Sequence, residues 1–369
     1  MFLDESAANF LEENYFYMDQ LSLTERRALI TRLGDHLRRN DDEFLHALQQ
    51  RTYHNNLWFT LGNQQLAVRA IAEQMLEPRL LDRWLSRYTI PEQTAAVRTV
   101  GIIPAGNIPL VGFHDVLCVF LCGHRSLIKP STKDAYVLPY LLKLLGTWDE
   151  RAAAYFELTD RLSDFDAVIA TGSNNSARYF ETYFGKVPHI IRRNRNAVAV
   201  LTGRETDEQL TALGEDIFTY FGMGCRNVAK LYLPRGYDLN RLLEILHEHR
   251  DLVRHSKYKN NFDYNFAVFT LNNVPFYNNG CVMLVENEAI QSRIAALHYA
   301  YYDSVAELRE ELQQRQEEVQ VVVSGMDLPG IETVAFGQAQ QPLPWQYPDG
   351  VDVVEFLLGL EAAISQEHN

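Results

Sequence analysis

A cysteine between a helical segment and an apolar run is the residue of this chain best suited to chemistry. Cys225 follows Gly222, Met223 and Gly224, and the apolar run 227–233 comes directly after it. A cysteine flanked by glycines at such a junction can be exposed in a cleft, which thiolate chemistry requires. The adjacent Arg226 is placed to lower the pKa of the Cys225 thiol. The alternative interpretation is a small buried hydrophobic residue, the usual fate of a single cysteine.

A second candidate residue lies where a strand ends in small residues. Residues 101–110 (GIIPAGNIPL) place Asn107 at the mouth of the following helix, where open α/β sheets bind their ligands. Asn107 is therefore a candidate site residue, and the alternative is an N-cap ahead of Pro109. On the same helix, His114 and Asp115 either face the site or pack against it.

Two further strand ends could hold phosphates or sugars. Lys129, in LIKPSTKD, can donate to ribose hydroxyls or to a phosphate. Gly172 and Ser173, in IATGS, begin a helix whose N–H groups and dipole favour an anion such as a pyrophosphate. The alternative for Ser173 is a helix cap. The basic run Arg192-Arg193-Asn194-Arg195 either contacts phosphate or solvates a loop.

The elements that position these residues alternate between strand and helix. Residues 1–95 read as helices, with apolar periodicity over 23–37 and 66–76 and a break at Pro78. From Val97 onward, short apolar runs at 97–103, 125–129, 166–170, 197–201 and 227–233 precede helical segments. This pattern predicts a doubly wound parallel sheet with helices on both faces.

Length and composition restrict the class of protein. The chain has 369 residues, enough for two domains, and a net charge of −14, which argues against nucleic acid or an anionic membrane as partner. The sequence has no apolar stretch of about 18 residues and no secretory pattern at its start. Four cysteines form neither a disulfide framework nor a metal-ligand cluster. We expect a cytoplasmic protein without a metal.

Taken in order, these segments resemble the aldehyde dehydrogenase superfamily. GIIPAGNIPL is similar to its oxyanion-hole segment, KPS to its adenosine-ribose motif, TGS to its pyrophosphate turn and F-x-x-x-G-x-x-C to its cysteine signature, with Met223 where Gln or Glu is usual. NIPLVGFHDVLCVFLCGH, RNRNAVAVLTG and YPDGVDVVEFL resemble more narrowly the bacterial (LuxC-type) fatty acyl-CoA reductases. The resemblance implies an α/β fold with a doubly wound parallel cofactor domain and a second α/β catalytic domain.

The resemblance also implies roles for individual residues. Cys225 would be the nucleophile, and the Asn107 side chain with the Cys225 N–H would form the oxyanion hole. Lys129 and Ser131 would lie at the adenosine ribose, with Gly172 and Ser173 at the pyrophosphate and Glu288, or else Glu286, at the nicotinamide ribose. Arg192, Arg193, Arg195 and His114 are further candidates for binding substrate or phosphate.

The position after KPS bears on cofactor choice. Relatives that prefer NAD commonly carry a Glu there that binds both ribose hydroxyls, whereas this chain has Thr132 followed by Lys133. Without the carboxylate a 2′-phosphate is not repelled, and Lys133 could attract it. We therefore expect NADPH to be used at least as well as NADH.

A missing base bears on the reaction. Oxidising members carry a Glu that activates water, and an alignment without gaps places Ile191 at that position. The resemblance therefore implies NAD(P)H-dependent reduction of an acyl-CoA or acyl-carrier thioester to the aldehyde. The alternatives are an aldehyde-oxidising dehydrogenase, an acyl-phosphate reductase, and a non-catalytic scaffold that accepts acyl groups from a ligase partner.

Four aromatic residues are candidates either for lining an apolar tunnel or for core packing: Phe113, Phe120, Tyr220 and Phe221.

The expected domains follow from these assignments. Residues 1–203 would hold the N-terminal helices and the dinucleotide-binding domain, and residues 204–340 the catalytic domain. Residues 341–369 would form a tail that packs back on the cofactor domain or on a partner subunit. We also expect a homo-oligomer, because members of the resembled family usually form dimers or tetramers.

Overall fold

Two sheets organise the part of the chain that the computed structural model describes, residues 20–362. The first sheet is parallel throughout and has the order β3-β2-β1-β4-β5. Its strands are β1 (Thr99–Ile103), β2 (Arg125–Ile128), β3 (Phe156–Leu158), β4 (Ala167–Thr171) and β5 (His189–Arg192). Because β1 lies between β2 and β4, the carboxyl ends of these three strands meet at one edge of the sheet.

Helices precede and connect the strands of the first sheet. They are α1 (Leu23–Arg39), α2 (Glu43–Asn55), α3 (Leu61–Ala70), α4 (Pro78–Leu85), α5 (Phe113–Leu121), α6 (Val137–Trp148), α7 (Glu150–Ala153) and α8 (Asn174–Phe184). A π-helical turn, Ile71–Met75, continues α3.

The N-terminal helices form where the apolar periodicity predicts them. Ser22 and Glu25 make a capping box at the start of α1, and the buried face of this helix carries Leu29, Leu33 and Leu37. Pro78 stands at the start of α4, where its missing N–H is not needed. The buried faces of these helices join one hydrophobic core with β1, α5 and α6. The N-terminal region is therefore a wall of the first sheet's half of the molecule.

The second sheet has the order β12-β11-β6-β7-β10-β9-β8, and only the β8–β9 pair is antiparallel among its pairs. Its strands are β6 (Asn196–Val200), β7 (Val228–Pro234), β8 (Tyr277–Asn278), β9 (Met283–Glu286), β10 (Ala296–Tyr302), β11 (Val319–Ser324) and β12 (Thr333–Val334). Its helices are α9 (Asp207–Phe218), α10 (Leu239–Leu246), α11 (Ser256–Leu271) and α12 (Val305–Gln314). Short 3₁₀ segments are Thr219–Gly222, His247–Arg254 and Pro348–Gly350, and the last helix is α13 (Val353–Ala362).

The change from one sheet to the other comes earlier than the sequence predicts. The expected boundary at residue 203 leaves the apolar run 197–201 in the first domain. In the structure this run is β6, which pairs with β7 and β11 in the second sheet. Residues 193–195 therefore connect the sheets. Apolar runs mark a strand but do not say with which sheet the strand pairs, and this is why the prediction was wrong by about one strand.

The tail returns to the half of the molecule that holds the first sheet. The Trp84 indole N–H donates to the Tyr347 hydroxyl at 2.8 Å, and the Tyr88 hydroxyl donates to Asp352 at 2.5 Å. His124 Nε2 donates to the Leu357 carbonyl at 3.3 Å, and α13 packs on α5. Residues 341–362 therefore lie against the N-terminal half, while residues 1–19 and 363–369, which belong to the expected first domain and tail, lie outside the described residues.

The predicted fold class is confirmed, since parallel strands alternate with helices in both halves. No helix within residues 20–362 combines the length and apolar character needed to cross a membrane.

Candidate active site

Cys225 lies on the loop that joins α9 to β7, which we call the cysteine loop (residues 219–227). The thiol is half-buried, whereas Cys118, Cys122 and Cys281 are buried. Cys225 lines a cleft that is partly open to solvent. It is therefore the cysteine of the described residues that a ligand in this cleft can reach.

The cysteine loop has an unusual backbone. Tyr220 (φ 53°) and Phe221 (φ 59°) are both left-handed and precede Gly222 (φ 74°). Two non-glycine residues in this region are costly and persist only when their surroundings fix them. Phe221 is fixed by the rings of Trp58 and His255, whose centroids lie 5.2 and 4.5 Å from its own. The loop is thus held under strain by aromatic packing that includes the N-terminal region.

Asn227 ties the two ends of the cysteine loop together. Its buried carboxamide donates to the backbone carbonyls of Asp216 and Thr219, at 3.1 and 2.8 Å, and accepts from the Gly224 N–H at 2.8 Å. Sequence reasoning did not single out this residue. An Asn directly after a glycine-rich cysteine segment was the available signal, since a short amide commonly binds nearby backbone in tight loops.

Asn107 lies against the same loop from the other sheet. One N–H of its carboxamide donates to the Met223 carbonyl at 2.7 Å. The second N–H has no protein partner within residues 20–362, and the buried Oδ1 accepts no hydrogen bond there. The carboxamide is therefore oriented by the cysteine loop and keeps one donor for a ligand, a role different from the N-cap alternative.

The segments after β1 and β2 pack closely against each other. A Cβ added at Gly106 would lie 1.9 Å from the Ser131 hydroxyl, so only glycine fits beside this serine. Asp134 accepts from the Leu110 N–H at 2.7 Å, and Leu110 is itself left-handed (φ 58°). Burial raises the pKa of Asp134 to about 6, although the Leu110 hydrogen bond opposes this shift. Asp134 thus fixes the backbone that presents Asn107, and sequence reasoning missed it.

The remaining cofactor candidates lie along the same edge of the first sheet. Lys129 and Lys133 are exposed beyond the end of β2, and the described residues offer neither ammonium a hydrogen-bond or ion-pair partner. Gly172 and Ser173 follow β4 and begin α8, where Ser173 accepts from the Ser176 N–H at 3.2 Å. Ser173 is therefore a helix cap, as its alternative interpretation states, and it stands at a helix N-terminus that can bind an anion.

Glu288 does not lie with these residues. The strand register aligns the first residues of three parallel strands, Met283 of β9, Ala296 of β10 and Val228 of β7. Cys225 lies just before this end of the strands, whereas Glu288 lies beyond the opposite end of β9. The Glu288 carbonyl accepts from the buried Lys230 ammonium at 2.9 Å, while its side chain is exposed. The assignment of Glu288 to the cofactor is therefore wrong in this geometry, and Glu286, the last residue of β9, lies at the same end.

The arginines of the basic run are engaged elsewhere. Arg192 forms a buried two-point ion pair with Asp115, with N–O distances of 2.6 and 2.9 Å. Although burial opposes it, the Asp115 carboxylate raises the pKa of Arg192. Arg193 pairs on the surface with Glu181, and Arg195 contacts Asp349 and the Gln316 carbonyl. Phosphate contact is thus wrong for Arg192, because its charge is neutralised by a partner 77 residues away in the chain.

His114 is a packing residue at the wall of the cleft. Its Nε2 donates to the Pro344 carbonyl at 2.8 Å, and its ring stacks on Trp84 with centroids 5.7 Å apart. Burial lowers the pKa of His114, so the ring is neutral. The assignment to substrate or phosphate is therefore replaced by an anchoring role. We call His114, Asp115, Arg192 and Tyr347 the anchor cluster.

The cleft is mostly apolar and is lined by the N-terminal helices, the segment after β1, the cysteine loop, β11 and residues 340–348. Ala67, Ala70, Ile71 and Met75 come from α3 and its π-turn, and Ile108 to Val111 and Phe113 come from the segment after β1. Tyr220 also lines it, whereas Phe120 and Phe221 pack into cores. Within residues 20–362, no Asp or Glu side chain lines this cleft, and Ile191 lies in β5 opposite Ala170.

Burial and the neighbouring charges act on the pKa of the Cys225 thiol in opposite directions. Burial raises the pKa of Cys225, and the Asp349 carboxylate acts in the same direction, while Arg226 and Arg192 oppose both. Arg226 donates from Nε to the Ala339 carbonyl at 2.5 Å, which holds its guanidinium near the thiol. Described residues contain no group of three His, Cys, Asp or Glu side chains arranged to hold a metal ion.

Comparison with solved structures identifies the fold. Aldehyde dehydrogenase 21 from Physcomitrella patens, solved with the reaction product succinate, has a TM-score of 0.66 at 12% identity over 92% of this chain and 85% of its own. The P. syringae indole-3-acetaldehyde dehydrogenase AldA, in complex with NAD+, has a TM-score of 0.62 at 15% identity over 87% and 75%. Pseudomonas syringae aldehyde dehydrogenase C, complexed with NAD+ and octanal, gives 0.61 at 14% over 83% and 73%. The chain therefore has the aldehyde dehydrogenase fold.

The family within this fold is given by the sequence model. Residues 48–247, more than half of the chain, match the family described as Acyl-CoA reductase (LuxC). The chain belongs to this family, and its kind of activity is that of the oxidoreductases related to aldehyde dehydrogenases. No curated protein sequence matches the chain.

Proposed function

We propose that this protein reduces an acyl thioester to the aldehyde with NAD(P)H, through an acyl-enzyme on Cys225. The observation that carries the proposal is the cleft itself. It holds a half-buried thiol and no carboxylate among its described lining residues. The Asn107 amide, with one donor uncommitted, lies against the cysteine loop and bonds to its Met223 carbonyl.

The first step needs only the chain's own residues and the substrate. The Cys225 thiolate attacks the thioester carbonyl, the bond from that carbon to the substrate's sulfur breaks, and the departing thiolate takes the proton lost by Cys225. The free Asn107 N–H and the Cys225 backbone N–H are donors for the oxyanion. One such donor typically contributes about 3–4 kcal/mol. Because burial raises the pKa of Cys225, we expect Arg226 to help stabilise its thiolate.

The apolar lining preserves the acyl-enzyme. Hydrolysis of a thioester requires a base that activates water, and the residues lining the cleft provide no carboxylate. The one imidazole that lines the cleft, His114, is buried, with Nε2 bound to the Pro344 carbonyl and Nδ1 beside the Cys118 sulfur at 3.8 Å. The acyl group therefore stays on Cys225 until it is reduced or returned to a thiol. This favours reduction over an aldehyde-oxidising activity that releases free acid.

The residues at the edge of the first sheet fit a nicotinamide dinucleotide. Lys129 and Lys133 offer ammonium groups for ribose or phosphate, and Gly172 and Ser173 offer backbone donors at the start of α8. When bound, such a cofactor supplies the hydride. Because Thr132 replaces an acidic residue and Lys133 follows it, we propose that NADPH serves at least as well as NADH. Structural relatives solved with NAD+ support a nicotinamide cofactor.

The test follows the acyl group. Incubation of the protein with an acyl-CoA, without nicotinamide, should add one acyl mass to the peptide containing Cys225 and release one equivalent of coenzyme A. Cys225→Ala should abolish both and lower aldehyde formation at least about 10³-fold. Cys281→Ala is the matched control, since this buried thiol does not line the cleft.

Other outcomes identify the alternatives. Aldehyde formation by Cys225→Ala at the rate of the unaltered protein would refute the proposal. Free acid released without added thiol would indicate an oxidising or hydrolytic enzyme. An alkylation rate of Cys225 equal to that of free cysteine would indicate the non-catalytic scaffold.

A further inference from the structure

The cleft contains a polar side chain that the reaction described above does not use. Gln340 lines it together with Cys225 and Arg226. Its Nε2 is buried and finds no hydrogen-bond acceptor among residues 20–362. A buried donor without a partner destabilises the folded state, so such a group in a native structure calls for an explanation.

Each of the other side chains with a nitrogen donor along the cleft makes at least one hydrogen bond to the protein. His114, Gln320 and Gln346 each donate to a neighbouring carbonyl or carboxylate. Arg226 donates from Nε to the Ala339 carbonyl. These groups therefore maintain the walls, and Gln340 differs from them in having a buried amide that faces no protein acceptor.

The backbone beside Gln340 is fixed next to the cysteine loop. The Gly337 and Ala339 N–H groups donate to the Asp216 carboxylate at 2.7 and 2.9 Å, and the Ala339 carbonyl accepts from Arg226 at 2.5 Å. Arg226 follows Cys225 directly in the chain. Gln340 is therefore held in the wall of the cleft that Cys225 lines, by a turn that has three hydrogen bonds to residues of α9 and the cysteine loop.

The chemistry of an acyl ligand supplies the missing acceptor. An acyl chain that enters an apolar cleft carries one strong acceptor, its carbonyl oxygen, and this oxygen must lie near Cys225 for attack. We propose that the Gln340 carboxamide donates a hydrogen bond to the acyl carbonyl oxygen, and so selects carbonyl-bearing ligands and positions the carbonyl beside the thiol. This inference rests on the proposed function, because it assumes an acyl thioester in the cleft.

The test separates recognition of the carbonyl from reaction at the cysteine. In the Cys225→Ala protein, calorimetry would compare two analogues of one acyl-CoA. The first is a ketone in which CH₂ replaces the thioester sulfur, and the second is an S-alkyl thioether that lacks the carbonyl. Adding Gln340→Leu should raise the Kd of the ketone about tenfold and leave the Kd of the thioether unchanged. Gln338→Leu, an exposed position on the same turn, is the matched control.

The outcomes keep the two proposals apart. Equal changes for both analogues, or no change for either, would overturn the role of Gln340 and leave the proposed function intact. Failure of both analogues to bind when Gln340 is present would overturn the proposed function as well. If thermal unfolding shows that the Leu variant is not folded, Gln340→Met, with similar length and no donor, takes its place with the same expected result.

Discussion

The cysteine loop and the anchor cluster border the same cleft, but they differ in whether their polar groups have partners within the protein. In the anchor cluster, the Asp115 carboxylate neutralises the Arg192 guanidinium, whose Nε alone has no partner among the described residues, and His114 donates to the Pro344 carbonyl. At the cysteine loop, the thiol is half-buried, the backbone is left-handed at two non-glycine residues, and the neighbouring Asn107 Oδ1 has no protein partner among the described residues. The bonded side chains of the anchor cluster fix the wall of the cleft. The polar groups without a protein partner lie beside the strained cysteine loop, and these are the groups that a bound ligand would satisfy.

The largest effect should follow from breaking the anchor cluster. Asp115→Ala leaves the Arg192 charge buried without its partner, and we expect a loss of about 3–5 kcal/mol in the free energy of unfolding, measured with urea. The Asp115→Leu/Arg192→Leu double variant is the control and should regain most of that loss, since no charge stays buried. An Asp115→Ala protein of unchanged stability but weakened cofactor binding would instead assign Arg192 to a phosphate.

Removal of the Asn107 amide tests the other side of the comparison. Asn107→Ala should lower kcat for aldehyde formation about 10²–10³-fold, because one donor to the oxyanion is lost. Its effect on the unfolding free energy should be about 1 kcal/mol, the value of its single hydrogen bond to Met223. A kcat within threefold of the unaltered protein would show that Asn107 only positions the cysteine loop.

Asp134 offers a pH-dependent test of the backbone that presents Asn107. Its pKa is raised by burial to about 6 from an ordinary 3.8, so the folded state binds its proton more tightly than the unfolded state. Its contribution to stability is therefore present below about pH 4, falls as pH rises to about 6, and stays lost above that. Asp134→Asn should remove this slope and raise the free energy of unfolding at pH 7.5 by about 1–3 kcal/mol. Urea midpoints measured from pH 4 to 8 check this, and parallel curves for the two proteins would contradict it.

The smallest effect concerns cofactor choice. Lys133→Ala should raise KM for NADPH about fivefold and leave KM for NADH within twofold, because one exposed ammonium contributes about 1 kcal/mol toward a phosphate. Glu288→Gln is the control and should change neither value, since this side chain lies beyond the far end of β9. Equal losses for both cofactors would place Lys133 at a group that they share.

The strand ends could be predicted from the sequence because each is a local pattern. A short apolar run followed by small residues and a helical period marks Asn107, Lys129 and Gly172 without knowledge of distant contacts. Cys225 is marked by a different local pattern, flanking glycines before an apolar run. The pairing of Arg192 with Asp115 could not be predicted in this way, since the partners are separated by 77 residues. Glu288 was misplaced for a related reason, because an acidic residue near the end of a strand does not reveal which end of the sheet it occupies.

Asp134, Asn227 and Gln340 were missed because they act through backbone or through a ligand. Asp134 and Asn227 bind main-chain groups, which every sequence has, so the side chain alone carries little signal. Gln340 lies in a loop 115 positions after Cys225, and only the fold brings the two together.

The returning tail has a consequence for how the chain is made. Four groups of the tail accept hydrogen bonds from the N-terminal half: the Tyr347 hydroxyl from Trp84, the Asp352 carboxylate from Tyr88, and the Pro344 and Leu357 carbonyls from His114 and His124. Until the tail has been synthesised, those donors have only water as acceptor, and the hydrophobic face that α13 covers is exposed. The half of the molecule that is synthesised first is therefore completed last, once residues 344–357 have emerged.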